Sequence, residues 1–417
     1  MALHRFSFFL ILGLTWPVRW LPYKAVHRLG AVLGTAAYYC IPKFRKRALS
    51  NLALASTLAL SEEEIPRLAK ASLQNLMITC LEYAKFASEK NVHRAVSCVN
   101  PEAADKLMKE GKPVIFFCGH QSNWEVLFLE GTKRMPGVAI GRPIKNMALY
   151  NWVLSIRQKY GGKMIAPQNA IREGLKGLKK GCFLGIVGDQ GMPDSGYSSP
   201  FFGRKAWTSP IAAILSHRTG SPIIVATTRR VNGKYQIHYS DPIWPDSDAP
   251  MELETDRLMR ASLAHLEKKI GEEPGQWLWS HNRWKQQTPD KLKRRFRHES
   301  ILIILPQDKQ LLDLSVFREV YPHEFITVLC PQDAVDRISL DGAEILPYAN
   351  EAELLRKDFR FKLIFNFTSS AQVKTHYKKL AAFEVVSLQE LYKEASLDNS
   401  SAFPEMLKKA LLKSHAS

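Results

Sequence analysis

Apolar and polar positions alternate along the chain in a pattern that predicts short strands separated by helices. Ser61 precedes Glu64 by three residues, which is a capping box that opens a helix. Apolar residues then recur on one face of that helix as far as Phe86. The predicted strands cover residues 113–118, 138–140, 183–187, 223–229 and 235–239, and the predicted helices after the first begin near 122, 148, 170, 210 and 251. This order predicts an α/β fold with a mixed sheet flanked by helices, some strands running antiparallel.

The N-terminal region is apolar without being long enough for an obvious bilayer span. Residues 6–18 are uncharged and mostly apolar, whereas a span needs ~20 such residues. The residues that follow offer no small-residue cleavage site of a secretory signal. A second apolar stretch, residues 29–41, is followed by a basic cluster, and Trp16 and Trp20 are typical interfacial residues. We expect residues 1–45 to be a membrane-associated segment, embedded in one leaflet or crossing as a short tilted span. A helix packed on the domain is the alternative.

A basic stretch at residues 288–298 predicts a linker, beyond which the α/β pattern restarts. Five short apolar runs, about twenty residues apart, alternate with helical stretches in residues 299–417. They predict a small Rossmann-like α/β domain. Its first strand is followed by Pro-Gln-Asp-Lys at 306–309 instead of a glycine-rich loop, so the usual backbone cradle for a dinucleotide phosphate is missing. We expect an accessory domain, with binding or regulation both open.

Composition and charge narrow the function classes. Hydrophobic residues make up 46% of the chain and charged residues 24%, a globular mixture, and a mean hydropathy of −0.19 excludes a polytopic membrane protein. The net charge is +18. Residues 299–417 hold 14 Lys and Arg against 17 Asp and Glu, so the positive excess lies in residues 1–298. That part is predicted to meet an anionic partner, such as a membrane or a phosphorylated lipid. Without a zinc-finger, homeodomain or RNA-binding signature, nucleic acid is not expected.

The six cysteines are scattered along the chain. None forms a Cys-x-x-Cys pair or has a histidine at zinc-binding spacing. They predict reduced thiols in a cytoplasmic setting, and no metal site.

The most informative motif is the block at residues 119–125, directly after a predicted strand, which contains His120 and Glu125. A histidine activates a hydroxyl by taking its proton, and a carboxylate on the far ring nitrogen fixes the tautomer. On an ideal helix residues five apart lie about 140° around the axis. The two side chains therefore pair only if His120 sits in the turn before a helix and Glu125 in its first turn. In the alternative interpretation, Ser122 and Glu125 form a capping box and His120 is a buried structural histidine.

Further motifs follow in a fixed order: Gly-Arg-Pro at 141–143, Gly-Asp-Gln at 188–190, Phe-Phe-Gly at 201–203 and Gln-Trp-Leu-Trp at 276–279. Together with the His120 block, this set resembles the late acyltransferases of lipid A biosynthesis. These are the lauroyl and myristoyl transferases of the lysophospholipid acyltransferase superfamily. The resemblance covers about residues 1–290 and excludes the C-terminal region. The Pro-Glu-Gly-Thr-Arg-type phosphate motif of glycerol-phosphate acyltransferases is absent.

The resemblance implies a glycerolipid acyltransferase-like domain at residues 46–287. The linker 288–298 and the accessory domain 299–417 lie outside it. It implies that His120 takes a proton from a hydroxyl of a 3-hydroxyacyl chain on a glucosamine disaccharide. The oxygen then attacks an acyl thioester carried by acyl carrier protein, while Glu125 orients His120 and supports its charge. No covalent acyl-enzyme is needed, in keeping with the lack of a Gly-x-Ser-x-Gly elbow. No cofactor or metal is expected.

Six further residues are predicted to contact substrate: Arg142, Asp189, Gln190, Phe201, Phe202 and Trp207. A guanidinium suits a phosphate or an oxyanion, with a structural ion pair as the alternative. The Asp-Gln pair ends a strand, where it either supports the site or makes a turn. The three aromatic residues line an acyl groove or belong to the core.

The same resemblance implies a membrane-bound, phosphorylated glycolipid acceptor and a location at the cytoplasmic face of the bacterial inner membrane. Two rival functions stay open. One is acyl transfer to another glycolipid, such as a phosphatidylinositol mannoside, or to a lysophospholipid. The other is a non-catalytic membrane scaffold with the C-terminal unit as its binding module. Acyl chain length, the hydroxyl acylated and the oligomeric state are not legible from the sequence.

Overall fold

A computed structural model of the chain describes residues 2–288, 293–307, 313–397 and 402–413, with side chains from residue 5 onward. The chain divides into two compact units. The first unit comprises Met1–Ile41 and Arg67–His281, and the second comprises Pro42–Pro66 and Asn282–Ser417. Residues 289–292 of the predicted linker, and two residues of the predicted 306–309 loop, lie outside the described residues.

The described α-helices are, in chain order, α1 (Ala2–Thr15), α2 (Tyr23–Cys40), α3 (Pro42–Leu54), α4 (Glu64–Ser88), α5 (Glu102–Lys109), α6 (Glu125–Arg134), α7 (Met147–Arg157), α8 (Ala170–Lys179), α9 (Ile211–Thr219), α10 (Met251–Glu272), α11 (Ser315–Val320), α12 (Ala371–Lys379), α13 (Leu388–Ala395) and α14 (Phe403–Leu411). The described strands are β1 (Val96–Val99), β2 (Ile115–Cys118), β3 (Gly137–Ile140), β4 (Lys163–Ile165), β5 (Phe183–Val187), β6 (Ser198–Phe201), β7 (Arg204–Trp207), β8 (Ile223–Val231), β9 (Lys234–Tyr239), β10 (Ser300–Ile304), β11 (Phe325–Pro331), β12 (Glu344–Tyr348), β13 (Leu363–Asn366) and β14 (Glu384–Ser387). Short 3₁₀ turns, such as Trp16–Trp20 and Val92–Ala95, connect several of them.

The first unit is built on a seven-stranded sheet in the order β1-β9-β8-β2-β5-β3-β4. Strands β8, β2, β5, β3 and β4 run parallel, whereas β9 pairs antiparallel with β8 and parallel with β1. The predicted mixed sheet flanked by helices is therefore confirmed. Every residue of β2 is buried, as expected of a central strand covered on both faces. Because β2 and β5 are neighbours, the chain segments that leave their carboxyl ends start side by side.

The predicted strands and helices of this unit are present, and four short strands were not predicted. The predicted capping box at the start of α4, among the residues of the second unit, also forms: the amide of Glu64 donates to Ser61 Oγ (3.2 Å) and the amide of Ser61 donates to Glu64 Oε2 (2.9 Å). The missed strands are β1, β4, β6 and β7. They are three or four residues long, and β6 contains Pro200, so neither length nor composition marks them as strands.

The N-terminal helices of the first unit carry an exposed apolar surface. Phe6, Leu14 and Val32 are each about two-thirds exposed, and Trp20 is 76% exposed. None of the described helices combines the length and the apolar content that a bilayer span requires.

The second unit contains a five-stranded parallel sheet in the order β12-β11-β10-β13-β14. The Rossmann-like assignment stays a prediction. Helix α3 belongs to this unit, although the sequence placed residues from 46 onward in the acyltransferase domain. The buried ammonium of Lys362 connects α3 to the rest of the second unit. It forms an ion pair with Glu299 and donates to the side-chain oxygens of Asn51 on α3 (3.2 Å) and of Asn282 (3.0 Å).

Candidate active site

The register of two neighbouring strands brings His120 and Asp189 together. Cys118, the last residue of β2, pairs with Val187, the last residue of β5. Each functional side chain lies two residues beyond its strand, at the carboxyl edge where open α/β sheets bind ligands. Gly119 permits the close approach, since a Cβ there would lie 2.9 Å from Asp189 Oδ2.

Asp189 holds the imidazole of His120 in one orientation. Its Oδ1 lies 2.6 Å from His120 Nδ1, and its Oδ2 accepts from the His120 amide (2.6 Å) and from Trp277 Nε1 (2.7 Å). The carboxylate is buried, with a side-chain exposure of 2%. Burial raises the pKa of Asp189, but the charge and the hydrogen bonds of His120 outweigh it and lower the pKa to about 2. The ionised carboxylate therefore fixes the tautomer that carries its proton on Nδ1.

The other ring nitrogen of His120 is the one available for chemistry. Nε2 lies 3.2 Å from Nε2 of Gln190, an amide that can donate to an unprotonated ring nitrogen. The edge of Trp124 packs against the imidazole at a centroid distance of 4.5 Å. With Nδ1 engaged by the carboxylate, Nε2 is a proton acceptor, as a general base requires.

Glu125 bonds to partners other than the imidazole, which corrects the predicted hydrogen-bonded pair. Its carboxylate accepts two hydrogen bonds from Arg157, at 2.8 Å and 2.5 Å, and one from the Tyr83 hydroxyl at 2.5 Å. Glu125 is the first residue of α6, and Asp189 is the carboxylate that bonds the imidazole of His120. Burial raises the pKa of Glu125, and the Arg157 guanidinium more than offsets this, so the pKa is lowered. His120 contributes to that lowering by its charge, and both side chains line one cavity.

The capping-box alternative is not what the structure contains. The Glu125 amide donates to Asn123 Oδ1 at 3.2 Å, and Ser122 Oγ is buried without a hydrogen-bond partner among the described residues. Ser122 has a φ of +52°, a left-handed conformation that costs a serine free energy. Helix α4 holds this turn, because Thr79 (3.0 Å) and Asn75 (3.3 Å) both donate to the Ser122 carbonyl.

The Gln-Trp-Leu-Trp motif of the sequence braces the same turn from the other side. The Ser122 amide donates to the Gln276 carbonyl (2.6 Å), and the Leu278 amide donates to the His120 carbonyl (3.1 Å). The Trp277 indole bonds Asp189. A motif that resembled a family landmark is thus a set of contacts that positions His120 and its carboxylate.

A buried charge anchors this turn to the rest of the unit. Glu82 of α4 accepts from Asn123 (2.8 Å), Arg230 (2.9 Å) and Tyr235, and it pairs with His27 of α2 (2.6 Å). Burial raises the pKa of Glu82, but Arg230 and the hydrogen bonds outweigh this and lower the pKa to about 2. The fully buried carboxylate thus remains ionised and satisfied.

A cavity of about 340 Å³ extends from His120 into the first unit. Its wall is mostly apolar and includes Phe116, Phe128, Phe183 and Tyr239. Its lining also includes the polar residues His120, Glu125, Arg142, Arg157 and Gln190. Arg142 is exposed, as a substrate contact would require. A mainly apolar cavity with few convergent polar groups is typical of a small-molecule or lipid site.

The three predicted groove aromatics lie elsewhere, which corrects that expectation. Phe201, Phe202 and Trp207 are buried, and none is among the described residues that line the cavity. They belong to the β6–β7 hairpin, whose turn residues have φ of +49° and +78°. A two-residue turn with both φ positive is the usual hairpin connection, so the Phe-Phe-Gly motif makes a turn. The rings of Phe201 and Phe202 pack on Trp277 and Trp279.

Sequence reasoning missed several residues of the site. Arg157 and Tyr83 lie on predicted helices, where a single polar residue carries no signal of its partner. Trp277 was noticed only as part of a motif. The predicted absence of a cofactor stays a prediction; among the described residues, no three His, Cys, Asp or Glu side chains are grouped as metal ligands.

Comparison with known proteins identifies relatives of this chain. The family described as bacterial lipid A biosynthesis acyltransferase matches residues 1–286. The chain is 24% identical over 281 residues to the lipid A biosynthesis lauroyltransferase of Escherichia coli, covering 66% of this chain and 90% of that protein. It is 26% identical over 289 residues to a lipid A biosynthesis acyltransferase of Haemophilus influenzae, covering 65% and 84%. Since the family match covers more than half of the sequence, this chain belongs to the bacterial lipid A biosynthesis acyltransferase family and is an O-acyltransferase.

Proposed function

We propose that this enzyme transfers a fatty acyl chain from acyl carrier protein to a hydroxyl of a 3-hydroxyacyl chain on a lipid A precursor, with His120 as the general base. One observation carries the proposal: Asp189 engages Nδ1 of His120, and His120 lines a mostly apolar cavity. A base poised beside a hydrophobic cavity is the arrangement that acylation of a lipid hydroxyl needs.

The proposed reaction is one direct transfer. His120 Nε2 takes the proton of the acceptor hydroxyl as its oxygen bonds to the thioester carbonyl carbon. The carbon–sulfur bond then breaks, and the leaving thiolate takes the proton from the imidazolium. Asp189 stabilises the imidazolium by its hydrogen bond. Glu125 supports it by charge, while Arg157 and Tyr83 hold the carboxylate in place. Arg142 is the proposed contact for a substrate phosphate or for the oxyanion.

The mostly apolar wall of the cavity suits an acyl chain. Each methylene buried there contributes ~0.8 kcal/mol, so the depth of the cavity would select the chain length. We place no cofactor in this scheme, because the thioester itself supplies an activated acyl group.

We further propose that the N-terminal helices lie in the interface of a membrane, at the cytoplasmic face of the bacterial inner membrane. The exposed side chains of Phe6, Leu14 and Val32 and the indoles of Trp16 and Trp20 support an interfacial position. A lipid acceptor would then reach the cavity without leaving the membrane surface.

The test is acyl transfer by the purified full chain, with acyl carrier protein thioesters and a phosphorylated glucosamine disaccharide lipid, followed by mass spectrometry of the product. The wild type is expected to add one acyl chain, and His120→Ala is expected to abolish transfer while still sedimenting with vesicles. His265→Ala, which removes an exposed histidine outside the cavity, is the matched control. Transfer by His120→Ala at the wild-type rate would refute the base assignment. Transfer only to a different lipid acceptor would refute the proposed substrate.

A further inference from the structure

A second cavity in the first unit, about 470 Å³ in volume, is lined by residues other than those around His120. It is bounded by the turn Trp16–Trp20, the end of α4 and the turn Val92–Ala95. We call it the basic pocket, and its lining residues are Arg19, Trp20, Lys85, Ser88, Glu89, Lys90, Asn91 and Arg94.

The basic pocket combines four cationic side chains with one carboxylate. Two of the cations are held in place: Arg19 stacks on Trp16 at 3.9 Å, and Lys85 Nζ donates to the Arg19 carbonyl at 3.0 Å. Lys90 and Arg94 are exposed. Such a set presents several N–H donors to a single anion, which a phosphate with three acceptor oxygens would satisfy.

The negative end of α4, which would repel an anion, is already compensated. Lys159 Nζ donates to the carbonyls of Phe86 and Glu89, the latter at 2.6 Å. A cation at a helix C-terminus offsets the helix dipole there. The cations of the basic pocket are therefore not needed to cap the helix.

The lining of the basic pocket also includes Glu89 and Asn91, whose acceptors a phosphate alone would not use. Asn91 Oδ1 has no hydrogen-bond partner among the described residues and is buried behind the pocket surface. The Glu89 carboxylate accepts from the Asn91 amide at 3.3 Å and has further lone pairs. Such acceptors suit hydroxyl groups, so the donors and acceptors together fit a sugar that carries a phosphate.

The basic pocket lies close to the candidate active site along α4. Tyr83, which donates to Glu125, precedes Ser88 by five residues, or ~7.5 Å along the helix axis. Trp20 at the rim is 76% exposed, and exposed indoles favour the membrane–water interface. A lipid headgroup in this pocket would sit beside the membrane, and its acyl chains would start near Glu125.

We infer that the basic pocket binds the phosphorylated sugar headgroup of the lipid acceptor. The inference rests on the proposed function, which supplies a phosphorylated glucosamine lipid as substrate. A concave site with hydroxyl acceptors fits a small headgroup better than the surface of an acidic protein.

The test compares Lys90→Gln/Arg94→Gln with the matched control Lys179→Gln/Lys180→Gln, which removes two exposed lysines of the same unit outside both cavities. Transfer is measured with a diphosphorylated glucosamine disaccharide lipid and with the same lipid after phosphatase treatment. Loss of two charge-assisted contacts is expected to raise KM for the phosphorylated lipid by about 10- to 100-fold. For the dephosphorylated lipid, neither kcat nor KM should change. The control is expected to behave as the wild type.

Direct binding separates this inference from the proposed reaction. Glucosamine 1-phosphate, glucosamine and inorganic phosphate are titrated into the full chain and followed by NMR. The wild type should bind the sugar phosphate more tightly than either fragment, and Lys90→Gln/Arg94→Gln should lose that preference. If the wild type acylates neither lipid, the proposed function fails, while this titration still decides the pocket.

Three outcomes would overturn the inference. One is an equal rise of KM for both lipids. Another is binding of inorganic phosphate as tight as that of glucosamine 1-phosphate. In the third, Lys90→Gln/Arg94→Gln loses binding to phosphatidylglycerol vesicles, while the ratio of KM for the two lipids stays at the wild-type value. That result would assign the pocket to a bilayer phospholipid.

Discussion

Asp189 contacts His120 at two points, accepting from the ring nitrogen Nδ1 and from the backbone amide, both at 2.6 Å. A carboxylate that holds both the ring and the backbone leaves the imidazole little freedom to rotate. The arrangement divides what the sequence assigned to one residue: Asp189 holds the imidazole by contact, and under the proposed function Glu125 supports the imidazole by its charge.

Asp189→Asn tests the first of these roles. The asparagine amide keeps the shape of the aspartate side chain but removes its negative charge. That charge stabilises the imidazolium and fixes the tautomer of the neutral imidazole. We expect kcat to fall by about 1,000-fold or more with little change in KM, measured by steady-state acyl transfer. Asp194→Asn, which alters an exposed carboxylate five residues later, is the control. A variant that retains a tenth of the activity would show that the contact is structural.

Glu125→Gln tests the second role. It leaves the Arg157 guanidinium without its charged partner, so we expect the free energy of unfolding in urea to fall by about 3–5 kcal/mol. The fall in kcat should be smaller than for Asp189→Asn, because His120 keeps its hydrogen bond to Asp189. In the double variant Glu125→Gln/Arg157→Gln, stability should largely return and activity should not. Full recovery of activity would mean that the Glu125 charge has no catalytic part.

Gly185→Val tests whether the cavity sets the acyl chain length. A Cβ at Gly185 would lie 3.4 Å from Ala139 Cβ and 3.8 Å from both Phe128 Cδ2 and the Val138 carbonyl oxygen, which is ordinary van der Waals contact. The β-carbon therefore fits, and we expect the added methyl groups to fill part of the cavity that Gly185 lines. At ~0.8 kcal/mol for each methylene, every chain position lost should cost about fourfold in kcat/KM for the longest acyl donor. Competing acyl carrier protein thioesters, resolved by mass spectrometry, give the preference.

Ala139→Gly is the opposite change at the facing residue. It should leave the preference unchanged or extend it toward longer chains. Identical chain preferences in the wild type and Gly185→Val would exclude this cavity as the acyl site.

Acid sensitivity follows from the two buried carboxylates with strongly lowered pKa values. The pKa of Asp189 falls from 3.8 to about 2, and that of Glu82 from 4.5 to about 2. A carboxyl group whose pKa is lowered by folding stabilises the folded state at pH values above its ordinary pKa. This stabilisation is lost as the pH falls through the pKa of the folded state. We therefore expect the free energy of unfolding to drop by about 5 kcal/mol between pH 4.5 and pH 2. Urea unfolding across that range measures it.

Glu82→Gln identifies the share that Glu82 contributes. The variant should be less stable at neutral pH, since Arg230 loses its buried partner, and its stability should fall less steeply in acid. A slope equal to that of the wild type would assign the acid sensitivity to other groups.

Local patterns in the sequence determined the secondary structure and the position of His120, the proposed base. The apolar runs at 115–118 and 183–187 are strands because they are short, continuous and bounded by turn residues. The order of the motifs indicated the family, which the comparisons then showed. His120 was identified because a strand, a glycine and a histidine in sequence place an imidazole at a sheet edge.

Only the tertiary structure decided which groups His120 and Glu125 bond. Asp189 is 69 residues from His120 in the sequence, and the two meet because β2 and β5 are neighbours in register. Which strands become neighbours depends on the packing of the whole sheet. Arg157 on α7 bonds Glu125 on α6, a contact 32 residues apart in the sequence. The Phe-Phe-Gly motif became a turn because two positive φ angles close the hairpin. Periodicity along a chain records which face of an element is buried, whereas the partner on that face depends on elements distant in sequence.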